Sequence, residues 1–347
     1  MTGRGARPRV LLRADAGREA GAGHLVRSVA LAEGFARAGA EPVLVTPGLP
    51  AGMARFVEGR PVRHAPVPGL APDDPGPLAV LAGDGAALVV LDGYRLGPDA
   101  VVAARQVAPF VVALADGNAP AGVDAVVDHE LCAGPGRYPG VPLRLLGPRY
   151  ALLREEFRDP PPRPDPEPDP PLVLVTLGGS ATARLGEKVR GLLAAAGPPL
   201  HARVVGNPWE DTVREAAPGG GVTIELVPPR PTLAEELSRA TLALLAAGGT
   251  RFEAARCRCP MLLGILADNQ ENDARAFVAA GAARDLGRWD DLDPEEGGML
   301  LRELLDRSDL RRELATRAAA LVDGRGAERA ARELLAAARS AAGRETR

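Results

Sequence analysis

Residues 159–171 read Asp-Pro-Pro-Pro-Arg-Pro-Asp-Pro-Glu-Pro-Asp-Pro-Pro. Proline lacks the backbone donor and its ring clashes with the preceding turn, so this density excludes helix and central strand. The segment is expected to be an extended, semi-rigid connector. It divides a chain of 347 residues, which is too long for one ordinary core. The expected organisation is a domain at 1–157, a connector at 158–171, and a second domain at 172–347 that includes the closing helices.

On both sides of the connector, apolar runs alternate with helical patterns. In the first half, strands are expected at residues 9–13, 42–46, 86–91, 110–114, 125–127 and 143–146, with helices at 24–38 and 98–106. Residues 47–77 are rich in Pro and Gly and fit no single element. In the second half, strands are expected at 172–176, 202–205, 222–226, 242–246 and 261–265. Helices are expected at 185–196, 232–239, 252–256 and 268–280, and two or three more between 295 and 335. Continuous apolar strands alternating with helices specify parallel sheets covered on both faces. The fold class is therefore α/β, with two Rossmann-like doubly wound sheets facing a central cleft. In such sheets ligands sit beyond the carboxyl ends of the strands.

Composition narrows the function classes. The net charge is −3 and aromatic residues make up 3%. No basic run interleaved with aromatics is present, so a nucleic-acid partner is not expected. No apolar run approaches the roughly 20 residues of a membrane span. None follows the basic N-terminal residues either, so a secretory leader is not expected and the compartment reads as cytoplasmic. Cys132, Cys257 and Cys259 are too few for a disulfide framework. Cys257-Arg258-Cys259 lacks the spacing of a structural zinc pair, so the thiols read as buried and no metal is expected.

The motifs that could carry chemistry follow strands. Arg13-Ala14-Asp15 leads into Gly21-Ala22-Gly23-His24, a glycine-rich loop that places an imidazole at a helix start. Imidazole has an ordinary pKa near 6.5, suited to taking a proton at neutral pH. The alternative is a histidine bonded to its own turn. Gly178-Gly179-Ser180 and Gly248-Gly249-Thr250 each join a strand to a helix, where glycine and unpaired backbone N–H groups can receive a diphosphate. Simple tight turns are the alternative. No lysine-bearing Walker loop is present. Glu253, in the next helical turn, could accept from ribose hydroxyls or be a surface glutamate favoured by the helix dipole. Asn269, in Asp268-Asn269-Gln270, could position a sugar or cap the helix.

These motifs combine with Leu146-Gly147-Pro148-Arg149-Tyr150-Ala151-Leu152-Leu153-Arg154-Glu155-Glu156-Phe157. Together they resemble the UDP-sugar hydrolases of pseudaminic acid biosynthesis and relatives in spore coat polysaccharide synthesis. The resemblance covers about residues 9–287. It implies a GT-B fold and hydrolysis of a UDP-2,4-diacetamido-2,4,6-trideoxyhexose with inversion, without metal or other cofactor. By position it implies His24 as the base that activates water. It also implies Arg13, Gly23, Tyr94, Arg149 and Asn269 at the sugar, and Gly178, Gly179, Ser180, Gly248, Gly249, Thr250, Glu253 and Gln270 at the nucleotide. The chain departs from the family pattern at three places: Gly93 stands for a histidine, Ala115 for the first of two aspartates, and Ala181 for an aspartate. A GT-B glycosyltransferase acting on a hydroxyl acceptor and a non-catalytic nucleotide-sugar binder are the alternatives. The expected ligand in each case is a UDP-sugar; a monomer is compatible with the sequence.

Overall fold

The computed structural model describes residues 7–15, 22–49, 51–71, 74–83, 85–178, 183–197, 199–206 and 221–345. The chain forms two compact units. One contains residues up to Glu155 and from Arg325 onward, and the other is Glu156–Gly324.

The first unit is built on β1 (Arg9–Ala14), α1 (Gly23–Arg37), β2 (Glu41–Thr46), α2 (Ala51–Ala54), β3 (Arg63–Pro66), α3 (Gly76–Ala82), β4 (Leu88–Asp92), α4 (Pro98–Arg105), β5 (Val111–Leu114), β6 (Ala125–Asp128) and β7 (Leu143–Leu146). Among the described residues the strands form a seven-stranded sheet in the order β3-β2-β1-β4-β5-β6-β7, and each pairing is parallel. β4 is buried along its whole length, as a strand covered on both faces must be. From β1 the chain moves outward through β2 and β3, then returns to the other side of β1 as β4. The order reverses between β1 and β4, and open α/β sheets bind ligands at such a point.

The second unit contains β8 (Leu172–Thr176), α5 (Ala183–Ala196), β9 (Leu200–Val205), β10 (Val222–Val227), α6 (Ala234–Arg239), β11 (Leu242–Ala246), α7 (Thr250–Arg256), β12 (Met261–Ile265), α8 (Glu271–Ala279), β13 (Arg284–Arg288), α9 (Pro294–Asp306) and α10 (Ser308–Leu321). Its six described strands run β10-β9-β8-β11-β12-β13, again all parallel. Here the reversal lies between β8 and β11, so the loops after those two strands flank it.

Two edge strands, β3 and β13, carry no apolar run. Arg63-His64-Ala65-Pro66 is half-buried at best, and Arg284-Asp285-Leu286-Gly287-Arg288 buries only Leu286. An edge strand has one unpaired flank and less cover, so its sequence need not be apolar. That is why β3 does not stand out within 47–77.

The last helix, α11 (Gly326–Glu345), departs from the expected 172–347 range. It belongs to the first unit because the backbone fits it there closely. A Cβ on Gly34 of α1 would fall 2.5 Å from the Ala327 carbonyl oxygen, and one on Gly326 would fall 2.4 Å from that of Ala151. The Tyr150 hydroxyl donates to Glu333 at 3.1 Å. The proline-rich segment also has an assigned place. Arg163 donates to the Ala240 carbonyl at 2.7 Å and Glu167 pairs with Arg311, so the segment is strapped onto the second unit. The chain passes between units at 155–156 and again at 324–325.

Gly34→Ala is expected to destabilise the protein by about 1–3 kcal/mol, because a backbone atom rather than a flexible side chain must give way. Gly186, in α5, has nothing within 4 Å of an added Cβ. Gly186→Ala is expected to stabilise by about 0.5–1 kcal/mol through helix propensity. Denaturant unfolding of the two variants checks the opposite signs.

Candidate active site

His24, Arg27 and Ser28 lie at positions i, i+3 and i+4 of α1 and so share one helix face. That face meets the carboxyl end of β4, where Asp92 is fully buried. The His24 Nδ1 lies 2.6 Å from Asp92 Oδ1. Ser28 donates to Asp92 Oδ2 at 2.8 Å. Arg27 Nη2 donates to Asp92 Oδ1 at 2.6 Å, and its Nε bonds both carboxylate oxygens at 3.0 Å. The other arm of Arg27 pairs with Asp116, just beyond β5.

Burial alone would raise the Asp92 pKa. Arg27, and then His24, outweigh it and hold the carboxyl at about 2, against an ordinary 3.8. Burial likewise pushes Asp116 up, and Arg27 brings it below the usual range. Asp92 is therefore a permanent acceptor at neutral pH. Arg27 Nη2 also lies 3.0 Å from His24 Nδ1, but both groups are donors toward the carboxylate, and the shorter contact places the imidazole proton on Nδ1 facing Asp92. Nε2 then carries the lone pair. It is buried and has no hydrogen-bond partner among the described residues. The turn-bonded alternative for His24 does not match this geometry.

The Asp92 shift is also a stability statement. A carboxyl whose folded pKa lies below its unfolded one stabilises the fold above pH 4, and that contribution disappears as pH falls from about 4 to about 2. At 1.36 kcal/mol per unit it amounts to about 2 kcal/mol. Urea unfolding at pH 5 and at pH 2.5 should show a drop that is smaller by about 1.5 kcal/mol in Asp92→Asn, since part of the contribution survives just above the folded pKa.

The other expected residues of the first unit divide. Tyr94 packs on His24 as a T-shaped pair, with ring centroids 4.4 Å apart, and is 64% exposed. Gly23 opens α1 beside His24, with nothing among the described residues within 4 Å of an added Cβ. Arg13 is buried, and its Nη2 donates to the Ala71 carbonyl at 2.8 Å, tying down the loop after β3. Arg149 stacks over the Tyr150 ring at 5.0 Å, and its carbonyl accepts from Arg329 of α11. The run 146–157 thus seats the last helix rather than joining the His24 cluster. Arg27 and Ser28 join this cluster without having been singled out in the sequence, whereas Asp92 and Asp116 stand among the candidate residues just after strands, with no role assigned to them. The α1 spacing is the signal that points to Arg27 and Ser28.

In the second unit, Gly178 follows β8 with a φ of +66°, a conformation that favours glycine. Gly179, Ser180 and Ala181 lie outside the described residues. Gly248 and Gly249 follow β11. Among the described residues, Gln270 Nε2 alone comes within 4.0 Å of a Cβ on Gly248, and nothing does for Gly249. Thr250 starts α7, whose cap uses no side chain. Glu253 is buried in the first turn of α7, unlike a surface glutamate. Gln270 accepts from the Leu266 backbone N–H at 3.0 Å, which closes the turn after β12. Asn269 is exposed in that turn, and no side chain caps α8. Arg251, buried against Asp273 and the Ala247 carbonyl, fixes the start of α7 beneath the glycine pair.

Cys257 and Cys259 are free and buried; burial pushes their thiols up to about 12 and about 11. No group of three or more metal-ligating side chains occurs among the described residues. No helix among them is long and apolar enough to cross a membrane.

No family model and no curated protein matches this sequence. Solved structures do match in fold. MurG of Acinetobacter baumannii is 16% identical over 95% of this chain and 99% of its own, with a TM-score of 0.65. LpCGTa, solved in complex with UDP, is 16% identical over 96% of this chain and 99% of its own, with a TM-score of 0.68. A putative UDP-N-acetylglucosamine 2-epimerase from Listeria monocytogenes is 15% identical over 94% of this chain and 95% of its own, with a TM-score of 0.61. The fold is that of the GT-B glycosyltransferases, two Rossmann-like domains of parallel sheet.

Proposed function

We propose that this chain is an inverting glycosyltransferase that moves a sugar from a UDP-sugar to a hydroxyl acceptor. One observation carries the reading: an imidazole held on Nδ1 by a buried, ionised carboxylate, with an unpartnered Nε2 at the point where the strand order of the sheet reverses. In this reading Nε2 removes the proton of the acceptor hydroxyl as that oxygen attacks the anomeric carbon. Asp92 stabilises the imidazolium that forms. The cluster holds two carboxylates, Asp92 and Asp116, against one guanidinium, Arg27, so the transferred proton balances its charge. Turning the exposed Tyr94 ring aside gives the acceptor access to His24.

In this reading Gly178, after β8, and Gly248 and Gly249, after β11, receive the leaving diphosphate, the latter pair admitting it to the α7 start, and Glu253 accepts from the ribose. A single displacement at the anomeric carbon inverts its configuration.

Hydrolysis of the UDP-sugar is the second reading. It puts water in place of the acceptor and is favoured by the motif resemblance around His24 and Asp268-Asn269-Gln270. Of the two parts most specific to that resemblance, 147–157 and Asn269-Gln270, the first contacts α11 through Arg149 and Tyr150 and so bears on architecture rather than on the choice of acceptor. The two readings separate in one assay: UDP release from a panel of UDP-sugars with and without sugar and natural-product hydroxyl acceptors. Release that rises at least several-fold with an acceptor supports transfer. Release indifferent to every acceptor supports hydrolysis, and tight UDP binding without turnover contradicts both.

A further inference from the structure

The His24 network leaves one acid at the same strand edge unused. Asp15 follows β1 directly, and its backbone N–H donates to the Asp92 carbonyl at 2.9 Å. Its side chain is 8% exposed, and the ion pair it makes among the described residues is with Arg95 Nε at 3.9 Å, on a side chain 73% exposed. That separation is beyond hydrogen-bond range. Other buried acids of this sheet are supplied with donors. Asp92 has His24, Arg27 and Ser28. Asp128 has Tyr138, Arg137 and the Glu130 N–H. A buried carboxylate without donors is costly.

Gly93 is what gives Asp15 its place. A Cβ on Gly93 would fall 2.5 Å from Asp15 Oδ2 and 2.7 Å from Cγ. Any side chain at position 93 would expel the carboxylate. The next residue is Tyr94, whose ring packs on the His24 imidazole. The carboxylate therefore stands at the carboxyl ends of β1 and β4, against the residue that precedes Tyr94.

We propose that Asp15 binds the acceptor, accepting a hydrogen bond from a second hydroxyl of a polyhydroxylated, sugar-like molecule whose reacting hydroxyl faces His24 Nε2. The proposal rests on the glycosyl-transfer reading and adds the class of acceptor. The Arg95 guanidinium already offsets the Asp15 charge and repels an ammonium, and the carboxylate repels an anion. A neutral hydroxyl donor remains. Water as the attacking group would need no such residue.

The test is a binding measurement that does not depend on turnover. Ligand-detected NMR titrates the full-length protein with methyl glucosides and galactosides and with their singly deoxygenated analogues. Wild type and His24→Asn are expected to bind at least one parent glycoside, with one deoxy position costing roughly 10- to 100-fold in Kd. Asp15→Ala should bind parent and analogue alike, and Asp15→Asn, which keeps a neutral acceptor, should fall between. Should Asp15→Ala fail to fold, Gly93→Ala, which displaces the carboxylate, must show the same loss of discrimination. Discrimination retained in Asp15→Ala, or no glycoside bound by wild type, overturns the proposal. A failure of glycosyl transfer itself would show elsewhere, as UDP release indifferent to every acceptor.

Discussion

His24→Asn is expected to lower the rate of sugar transfer by about 10²–10⁴-fold, the range a positioned general base supplies. The unfolding temperature should stay within a few degrees of wild type. The replacement is close in size, and an amide N–H can still donate to Asp92, so the buried carboxylate keeps the donors Arg27 and Ser28 plus a third. What disappears is the lone pair at Nε2. Steady-state kinetics with the best donor and acceptor, paired with thermal unfolding, separates the chemical loss from a structural one. Activity within a few-fold of wild type removes His24 from the mechanism.

Asp92→Asn is expected to cost about 10³–10⁴-fold in kcat, and stability as well. The kinetic loss comes from the tautomer. A neutral amide can present its N–H to Nδ1, which leaves the lone pair there and the proton on Nε2, the wrong tautomer seen when a triad aspartate is amidated in serine proteases. The structural loss comes from Arg27, which keeps Asp116 but loses its second carboxylate. Breaking one partner of a buried pair typically costs about 3–5 kcal/mol; the remaining pair places this variant at the low end. Circular dichroism melts and single-turnover kinetics measure the two losses separately. An Asp92→Asn enzyme with wild-type kcat would show that the pair does not work as a unit.

The sheet architecture was legible wherever strands are buried on both faces, because residues such as Leu88–Asp92 must then be apolar almost throughout. β3 and β13 were not, since an edge strand such as Arg284–Arg288 can be charged and still pair. The location of α11 was also hidden. It depends on Gly34 and Gly326 meeting distant backbone, and amphipathic periodicity does not say which sheet a helix will cover. At the site, His24 and Tyr94 were legible as a glycine-loop histidine and a residue after a strand end. Asp92 reads in sequence as the end of an apolar run; only the parallel pairing of β1 with β4, which sets Ala14 beside Asp92, brings it to the start of α1. Arg27 was available from i+3 spacing, but a charged residue at that spacing is usually solvated, and its two carboxylate partners come from β4 and the end of β5. Gly93 reads as a lost polar group until Asp15 is found filling the space its side chain would take.

Inverting transfer from the His24–Asp92 pair is tested most directly by NMR of the wild-type product, formed from a UDP-sugar of known anomeric configuration with a hydroxyl acceptor present. A new glycosidic bond of opposite anomeric configuration is the expected result. A glycoside of retained configuration, or free sugar as the sole product at a rate the acceptor does not change, would contradict it.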